Sequence, residues 1–398
     1  MSLGPGLRRF LSTWHGLIGI SAGVVLSVMG LSGAAIAFEE EILRALNPGV
    51  ATVALRDRPL LTAPQLQARL RADLPQRQIL AVTVFADPER AAKAMLAVAA
   101  PPGATAAPAV KRADIVWLDP HDGDLLGSEL RGEAVLHGLE DLHRRLLAGD
   151  AGKAVTGACA ILLLVLGFSG LYLRWPRQPG SLRAWLQVDF RRRGRMLWRN
   201  LHLVAGTLAL LFYVCSSLTG LFWSYDWYRK GLYALAGEPL PQRRGGGPGA
   251  PQDLDLSPAW AALQREVPAW RQATFMLPTA PGQPVQVSYL LPDAPHGRAV
   301  NRLEVDGVSG ETREHLRYAD KRIGGQLIAS LFPLHSGEFF GWTGRILTAL
   351  ASLALPLFAI TGWMLYLDRR RLRRRAEDLR RERLARGTAA PPQEQVGA

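Results

Sequence analysis

The chain has 398 residues, of which 48% are hydrophobic, and a formal net charge of +13. A nucleic-acid-binding domain would spread its basic residues over a soluble surface. Here the apolar residues are gathered into long blocks instead. The composition therefore argues against a nucleic-acid partner and predicts a membrane protein.

Four apolar blocks have the length that a bilayer requires, which is roughly 17–25 residues for a hydrocarbon core of ~30 Å. None of them contains Asp, Glu or Lys before its final turn. We expect each block to form a transmembrane helix. The four predicted spans are residues 16–38, 154–175, 203–225 and 346–367.

The arginines predict the orientation of these spans. Residues 174–199, around the loop between spans two and three, hold eight arginines against the lone Asp189, and ten more follow span four. Arg8 and Arg9 precede span one, whereas segment 39–142 carries 15 acidic and 11 basic residues. The positive-inside rule places both termini and the arginine-rich loop in the cytoplasm. The two long segments are then periplasmic.

A cleaved signal peptide is the alternative interpretation of the N-terminus. Ala35-Ile36-Ala37 resembles a cleavage site. The apolar block is longer than the usual core of a signal peptide. We therefore expect the first helix to be retained.

The chain reads as a tandem repeat of one unit. When His143 is aligned with His335, glycines at 149 and 152 align with those at 341 and 344. His15 and His202 align in the same way, and each is followed 18 residues later by the glycine of a Ser-Gly or Thr-Gly pair. The pairs that follow His143 and His335 end 27 residues after the histidine. Repeats of this kind determine the fold of the whole chain.

Each long segment has the pattern of a small α+β domain. Residues 62–74 and 257–270 read as capped helices, and each is followed by alternating strands and a turn containing Asp and Gly. The stretch 243–252 reads as a flexible linker. The predicted fold is an α-helical membrane protein with a four-helix transmembrane bundle from a tandem repeat and two α+β domains outside the membrane.

The predicted segments follow from these boundaries. They are 1–38, the cytoplasmic N-terminus and helix one; 39–142, the first periplasmic domain; 143–176, helix two; 177–201, the cytoplasmic arginine-rich loop; 202–226, helix three; 227–334, the second periplasmic domain; 335–368, helix four; and 369–398, the cytoplasmic basic tail.

Four histidines fall into two layers of the predicted bundle. His15 and His202 begin spans one and three on the cytoplasmic side, and His143 and His335 precede spans two and four on the outer side. Two imidazoles from two helices are the arrangement in which a helical bundle holds a bis-histidine haem. The sequence therefore predicts two haem irons, each with two of these histidines as axial ligands.

Glycines and basic residues accompany the histidines. We expect the glycines to leave room for a flat macrocycle, at positions 16, 19, 149, 152, 206, 341 and 344. The basic residues are candidates to pair with haem propionates. They are Arg9, Arg199, Lys153 and Arg345, with Arg8 and Arg145 as further candidates.

Other interpretations of these residues stay open. A single histidine near a membrane interface is usually an interfacial residue, and glycines in membrane helices commonly serve helix packing. His137, six residues before His143, is a possible substitute ligand. His121, His296 and His315 are expected at the surface.

Four motifs carry a family resemblance: "STWHGLIGISAG", "DLHRRLLAGDAGK", "RNLHLVAGTLAL" and "PLHSGEFFGWTGR". The chain resembles the PepSY-associated transmembrane family, the iron-regulated membrane proteins of the PiuB kind, over about residues 8 to 375. Within that family it looks closest to the ferrisiderophore reductases of the FoxB type, and its two periplasmic α+β domains look PepSY-like.

The resemblance implies a multi-pass protein of the bacterial inner membrane with two b-type haems. It implies a ferric-siderophore reductase, which passes electrons to a periplasmic ferric siderophore and releases Fe(II) for iron uptake. The chain has no Rossmann fingerprint, so we expect a separate cytoplasmic electron donor, such as a flavin reductase, reduced flavin or quinol. The arginine-rich surface is expected to contact the donor or anionic lipid of the membrane.

Two other classes of function compete with this one. The chain could be a haem-free, membrane-anchored PepSY protein with a binding or regulatory role, and the purified protein would then be colourless. A transporter fits less well, because the spans lack carboxylates and the broken helices of midplane substrate sites.

Overall fold

The computed structural model of the chain describes residues 5–97, 113–241 and 252–387. Within these ranges the helices are α1 Pro5–Ile36, α2 Glu39–Leu46, α3 Ala63–Asp73, α4 Glu133–Arg145, α5 Gly149–Arg174, α6 Leu182–Leu186, α7 Arg195–Ser224, α8 Asp226–Ala236, α9 Ser257–Glu266, α10 Ile323–Ser336 and α11 Gly341–Gly387. The strands are β1 Ile79–Phe85, β2 Ala92–Ala97, β3 Ala113–Leu118, β4 Leu125–Gly127, β5 Gln272–Met276, β6 Val285–Leu290, β7 Asn301–Val305 and β8 Thr312–Leu316.

The four predicted membrane spans are confirmed as long apolar helices. Helices long and apolar enough to cross a membrane cover Gly6–Ile36, Gly149–Arg174, Arg195–Ser224 and Glu338–Glu382. Each begins before the predicted span, and α11 also continues well past it, because basic residues are good helix formers and extend a helix beyond its apolar part.

The chain divides into two compact units. The helical unit comprises residues 1–34, 142–218 and 349–398, and the sheet unit comprises residues 35–141 and 219–348. Each unit therefore contains parts of both halves of the sequence. Neither unit is formed by one half alone.

Small residues allow the helices of the helical unit to approach closely. A side chain at Gly30 of α1 would overlap the Ser352 carbonyl of α11. The Tyr213 hydroxyl of α7 donates a hydrogen bond of 2.7 Å to the Ala351 carbonyl, also of α11. Ala22, Leu26 and Cys159 form a buried apolar cluster between α1 and α5. Small residues and polar contacts of this kind stabilise helix pairs in membranes.

The strands of both long segments form one antiparallel sheet. Its order is β4-β3-β2-β1-β5-β6-β7-β8. The central pair, β1 and β5, joins the two segments with Thr83 opposite Thr274, and their hydroxyls lie 2.9 Å apart. The two predicted α+β segments therefore share one continuous sheet. Pairing β1 with β5 satisfies backbone groups that two separate sheets would each leave exposed at an edge.

Two helices cover one apolar face of the sheet. In α3, the Thr62 side chain accepts a hydrogen bond from the Gln65 backbone N–H, and the Gln65 side chain accepts one from the Thr62 backbone N–H, so the predicted cap is present. Leu66 of α3 and Leu263 of α9 are fully buried in the same core as Phe275. Both segments contribute to this single core, which explains why they form one unit.

Two predicted segments lie partly outside the described residues. The predicted linker 243–252 falls almost wholly outside them, as does the end of the basic tail beyond residue 387. The described part of the tail continues α11, so residues 369–387 are helical.

Candidate functional site

His15 and His202 face each other in the helical unit. His15 lies in α1 and His202 in α7, each about two to three turns after its helix begins. Their ring centres are 6.4 Å apart and the ring planes are inclined by 72°. The sequence predicted this pair, although it placed both residues at the start of a helix and not within one.

The Nδ1 atom of His15 is held by Ser169 of α5. The Ser169 hydroxyl lies 2.9 Å from Nδ1 and 3.3 Å from the Leu166 carbonyl. When the hydroxyl gives its single proton to this carbonyl, it can only accept from the ring, so Nδ1–H donates to Ser169 in this arrangement. The lone pair of the neutral ring is then on Nε2. This is the nitrogen that a metal would bind.

His202 has the same arrangement on the facing helix. Its Nδ1 lies 2.7 Å from the Thr361 hydroxyl, which donates to the Leu357 carbonyl at 2.7 Å. Thr361 is completely buried, and Phe358 packs edge-on against the His202 ring, with centroids 5.0 Å apart. The hydroxyl and the aromatic ring fix the orientation of the imidazole, as outer-shell partners of metal-binding histidines do.

His143 lies at the end of α4, in the helical unit. Its Nδ1 is 2.8 Å from the Met29 carbonyl. Because a carbonyl carries no proton, Nδ1 must donate, and the neutral ring again presents its lone pair at Nε2. A side chain at Gly33 would come within 2.8 Å of the ring. Only glycine at position 33 lets the imidazole lie directly on α1.

His335 lies at the end of α10, in the sheet unit. Its Nδ1 is 3.0 Å from the Thr219 hydroxyl, and its ring lies over Gly220. The ring also contacts Trp223 edge-on, with centroids 5.6 Å apart. His143 and His335 belong to different units. Their pairing stays a prediction.

Four of the glycines that were expected to leave room for a macrocycle are instead required by the conformation or close approach of the backbone. A side chain at Gly152 would overlap the Arg145 carbonyl, and one at Gly344 would overlap the Gly337 carbonyl. Gly149 and Gly341 have φ angles of +56° and +61°, which favour glycine. These residues form the two tight turns that lead from His143 into α5 and from His335 into α11.

Three other glycines do leave space beside the first pair of histidines. Within 4 Å of where a side chain would begin, Gly16 meets no atom, Gly19 meets only Leu166 at 3.9 Å, and Gly206 meets only Phe358 at 3.7 Å. Two metal–nitrogen bonds of about 2 Å would place the centres of two imidazoles sharing one ion about 6 Å apart. The 6.4 Å separation and the open glycines therefore fit an iron macrocycle between His15 and His202.

The predicted propionate partners occupy varied surroundings. Arg345 makes a bidentate ion pair with Glu41 at 2.6 and 2.7 Å and also donates to the Ala37 carbonyl. The guanidinium holds the pKa of the Glu41 carboxyl below its ordinary value. Arg9 and Arg199 are exposed, and Lys153 is half-buried. The propionate role of all four stays a prediction, and Arg345 has a protein partner in the structure.

The described residues contain no group of three or more His, Cys, Asp or Glu side chains arranged to hold a metal ion. The four predicted ligands contribute two imidazoles to each proposed site, which is the number that a haem iron requires beyond its four macrocycle nitrogens.

The Ser-Gly and Thr-Gly pairs have a role that the sequence did not predict. From the sequence, these pairs served only to align the repeat. In the structure, Ser169, Thr361 and Thr219 each hold the Nδ1 atom of a histidine on another helix. The recurrence of one hydroxyl residue beside glycine, at a fixed distance from each histidine, is the pattern that could have indicated this role.

The other histidines are more buried than predicted. His121 is only 5% exposed, and its Nδ1 and Nε2 each lie 3.1 Å from a carbonyl, those of Arg58 and Pro88. His315 bridges Tyr289 and Glu266, with contacts of 2.7 and 3.0 Å. The expectation that these residues are at the surface is wrong, because their turns and strands fold against the sheet. His137 is exposed.

His296 is likewise buried, at 4% exposure. Its Nδ1 accepts from the Arg298 N–H at 3.2 Å, and its Nε2–H donates to the Ser330 hydroxyl at 3.0 Å. Burial lowers the pKa of His296, which keeps the ring neutral. These contacts give His296 a structural role in the sheet unit.

Replacing His121 by alanine should destabilise the protein by about 1–3 kcal/mol, because a buried carbonyl, that of Arg58 or Pro88, loses its N–H donor. The matched variant His137→Ala removes an exposed imidazole and should leave stability unchanged within about 0.5 kcal/mol. Thermal unfolding of both variants in detergent measures the difference. Equal melting temperatures would show that the His121 contacts contribute nothing.

A family model described as the PepSY-associated TM region matches residues 12–369 of the chain. The match contains all four predicted ligands and the described strands of the sheet. A comparison with curated proteins gives no match.

Proposed function

The chain belongs to the family of PepSY-associated transmembrane regions, and from this premise we propose that it is a di-haem ferric-siderophore reductase. It would take electrons from a donor on the cytoplasmic side and deliver them to a ferric siderophore in the periplasm. Similarity to the FoxB-type reductases, inferred from the sequence, supports the choice of substrate.

The observation that carries the proposal is the facing pair His15 and His202. Two imidazoles from different helices lie at a separation suited to one ion. Each has its Nδ1 within hydrogen-bond distance of a hydroxyl that also contacts a carbonyl of its own helix. A histidine in an ordinary interfacial position needs no such fixed tautomer. The pair is arranged as two metal ligands would be.

These residues have distinct roles in the proposed site. His15 and His202 supply the axial nitrogens, Ser169 and Thr361 orient them, and Gly16, Gly19 and Gly206 leave space for the macrocycle. A haem bound there would supply reversible one-electron transfer within the apolar part of the bundle.

The second proposed site uses His143 and His335. Both rings have a bound Nδ1 and lie directly against a glycine of a membrane helix. The same chemistry therefore recurs in both halves of the chain, and we infer that the halves derive from one repeated unit. His143 and His335 would be the axial ligands of the outer haem.

The overall reaction balances as one electron for each iron. A reduced flavin, free or bound to a flavin reductase, or a quinol gives up two electrons and releases protons on the cytoplasmic side. The two electrons pass singly to two chelates, and in each of them Fe(III) becomes Fe(II). Siderophore oxygens are hard ligands and hold Fe(II) less tightly than Fe(III). Reduction therefore releases the metal for uptake.

The proposal requires both termini in the cytoplasm and the two long segments in the periplasm of the bacterial inner membrane. A cysteine introduced at Ser128 should react with a membrane-impermeant maleimide added to whole cells with a permeable outer membrane. A cysteine introduced at Phe190 should react only after the inner membrane is opened. The arginine distribution is the reason for this expectation. The reverse pattern would place the substrate side in the cytoplasm.

Haem content tests the proposal directly. Detergent-purified protein should contain two haems per chain in a pyridine haemochrome assay, and its visible spectrum should be that of low-spin, six-coordinate iron, sharpening on addition of dithionite. A colourless protein would instead indicate a haem-free PepSY protein with a binding or regulatory role. One haem per chain would reject the second site.

A further inference from the structure

A cavity of about 500 Å³ opens in the sheet unit. Its volume lies in the range of small-molecule sites, which is roughly 300–1,000 Å³. It lies among the end of α7, helix α8, the first turns of α10 and the loop after His296. The residues that determine its chemistry are Trp223, Tyr233, Phe332, Glu238, Arg298 and Lys321.

Aromatic rings form the walls of this cavity. Trp223 and Phe332 meet edge to face, with centroids 6.2 Å apart. Tyr233 packs against Phe222, with centroids 6.1 Å apart. Rings held by one another in this way present flat, preorganised surfaces on which an aromatic ligand stacks at little entropic cost.

Positive charge is available at the same cavity. The Arg298 guanidinium lies over the Phe332 ring, 4.7 Å from its centroid, and the Lys321 ammonium lies 5.6 Å from the Tyr318 centroid. No ion pair joins Arg298 or Lys321 to a carboxylate among the described residues. Two cations are therefore oriented towards the cavity without a direct counter-ion.

The one acidic residue of the lining is directed at a helix end. A side chain at Gly325 would lie 3.0 Å from a Glu238 carboxylate oxygen, and Gly325 is in the first turn of α10. A carboxylate there interacts favourably with the positive end of the helix dipole. Glu238 also acts through space on the Lys321 ammonium. The lining therefore holds two positive charges, on Arg298 and Lys321, against one negative charge, and its net charge is positive.

The cavity wall also touches a proposed haem ligand. Trp223 lines the cavity and contacts the His335 ring edge-on at 5.6 Å. A molecule stacked in the cavity would be separated from the His335 imidazole by a single side chain. The cavity therefore adjoins the proposed outer ligand His335.

We propose that this cavity binds the substrate, and that the substrate is an anionic ferric chelate with aromatic iron-binding arms, of the catecholate class. This inference rests on the proposed reductase function. Catecholate complexes of Fe(III) carry negative charge and present aromatic faces, which match Arg298, Lys321 and the ring walls. Tris-hydroxamate complexes without carboxylate groups are neutral or cationic and lack those faces, so they should bind weakly.

Binding of a redox-inert analogue tests the site separately from electron transfer. Gallium(III) takes the place of Fe(III) in such chelates and is not reduced under these conditions. Titration of the purified full-length protein with the gallium catecholate complex should quench tryptophan fluorescence, and the quenching should shrink in Trp223→Phe. Arg298→Gln and Lys321→Gln should each weaken binding about 10-fold, equivalent to about 1.4 kcal/mol.

A matched control removes the same charge elsewhere in the sheet unit. Arg265→Gln on α9 should bind the complex like the unmodified protein. Equal affinity for a neutral gallium hydroxamate, or no effect of Arg298→Gln and Lys321→Gln, would overturn the proposal. So would displacement of the chelate by anionic lipid micelles, since the cavity would then be a headgroup site. If the haem assay fails and binding persists, the reductase function is wrong and the binding site stands.

Discussion

Replacing His202 by alanine should reduce the haem content from two per chain to one. The iron proposed between His15 and His202 loses an axial ligand, and the Thr361 hydroxyl loses the group it holds. The outer site should persist, because its ligands belong to other helices. The pyridine haemochrome assay measures the count, and the spectrum should lose one low-spin component.

The matched control for this variant is His137→Ala. His137 is an exposed histidine of α4, six residues from His143, so both haems should remain. If His137→Ala loses a haem, His137 and not His143 is the outer ligand. If His202→Ala retains two haems, His15 and His202 have a structural role and do not bind iron, and the proposed function loses its main support.

Replacing His335 by alanine should block delivery of electrons to the substrate. The reduction rate of an external ferric chelate should fall by at least about 100-fold, since changes to outer-shell partners of a metal ligand alone typically cost 10–100-fold. One haem should remain and should still be reduced by a donor supplied at the cytoplasmic face. Proteoliposomes with a ferrous-iron indicator outside measure both the rate and the haem spectrum.

The conservative variant Thr219→Val separates ligation from positioning. It keeps the imidazole of His335 and removes only the hydroxyl that lies 3.0 Å from Nδ1. Haem should be retained with a shifted reduction potential and an intermediate rate. Full reductase activity in His335→Ala would show that electrons leave by a route that does not involve this residue.

The sequence predicted the membrane helices and the facing histidines well. A long apolar block predicts a membrane span directly, because every residue of the block adds to its mean hydropathy. The histidines are recognisable because they recur at matched positions in the two halves of the chain. His15 and His202 could therefore be paired from the amino-acid sequence alone.

The sequence did not predict that the two long segments contribute strands to one sheet. Thr83 and Thr274 are 191 residues apart, and nothing in either strand specifies a partner beyond its alternation of apolar and polar residues. The burial of His121 was missed because its Asp-Pro-His-Asp-Gly sequence has turn chemistry. Turn chemistry describes the local backbone and does not reveal what packs over the turn.

The role of the hydroxyl residues required the fold. Ser169 follows His143 in sequence but holds His15, and Thr361 follows His335 but holds His202. Local spacing associates each hydroxyl with the wrong histidine. Only the packing of the helices shows which ring it contacts.

The pairing of β1 with β5 has a consequence for the ancestry of the protein. If the two halves derive from one repeated unit, as proposed, an ancestor of half the length had one of these strands with no partner in its own chain. It could complete the sheet only by associating with a second molecule. Duplication and fusion of its gene would turn that association into a covalent one. Each half could then diverge without losing its counterpart, so that one cavity could specialise in a ligand while the other half kept only the scaffold.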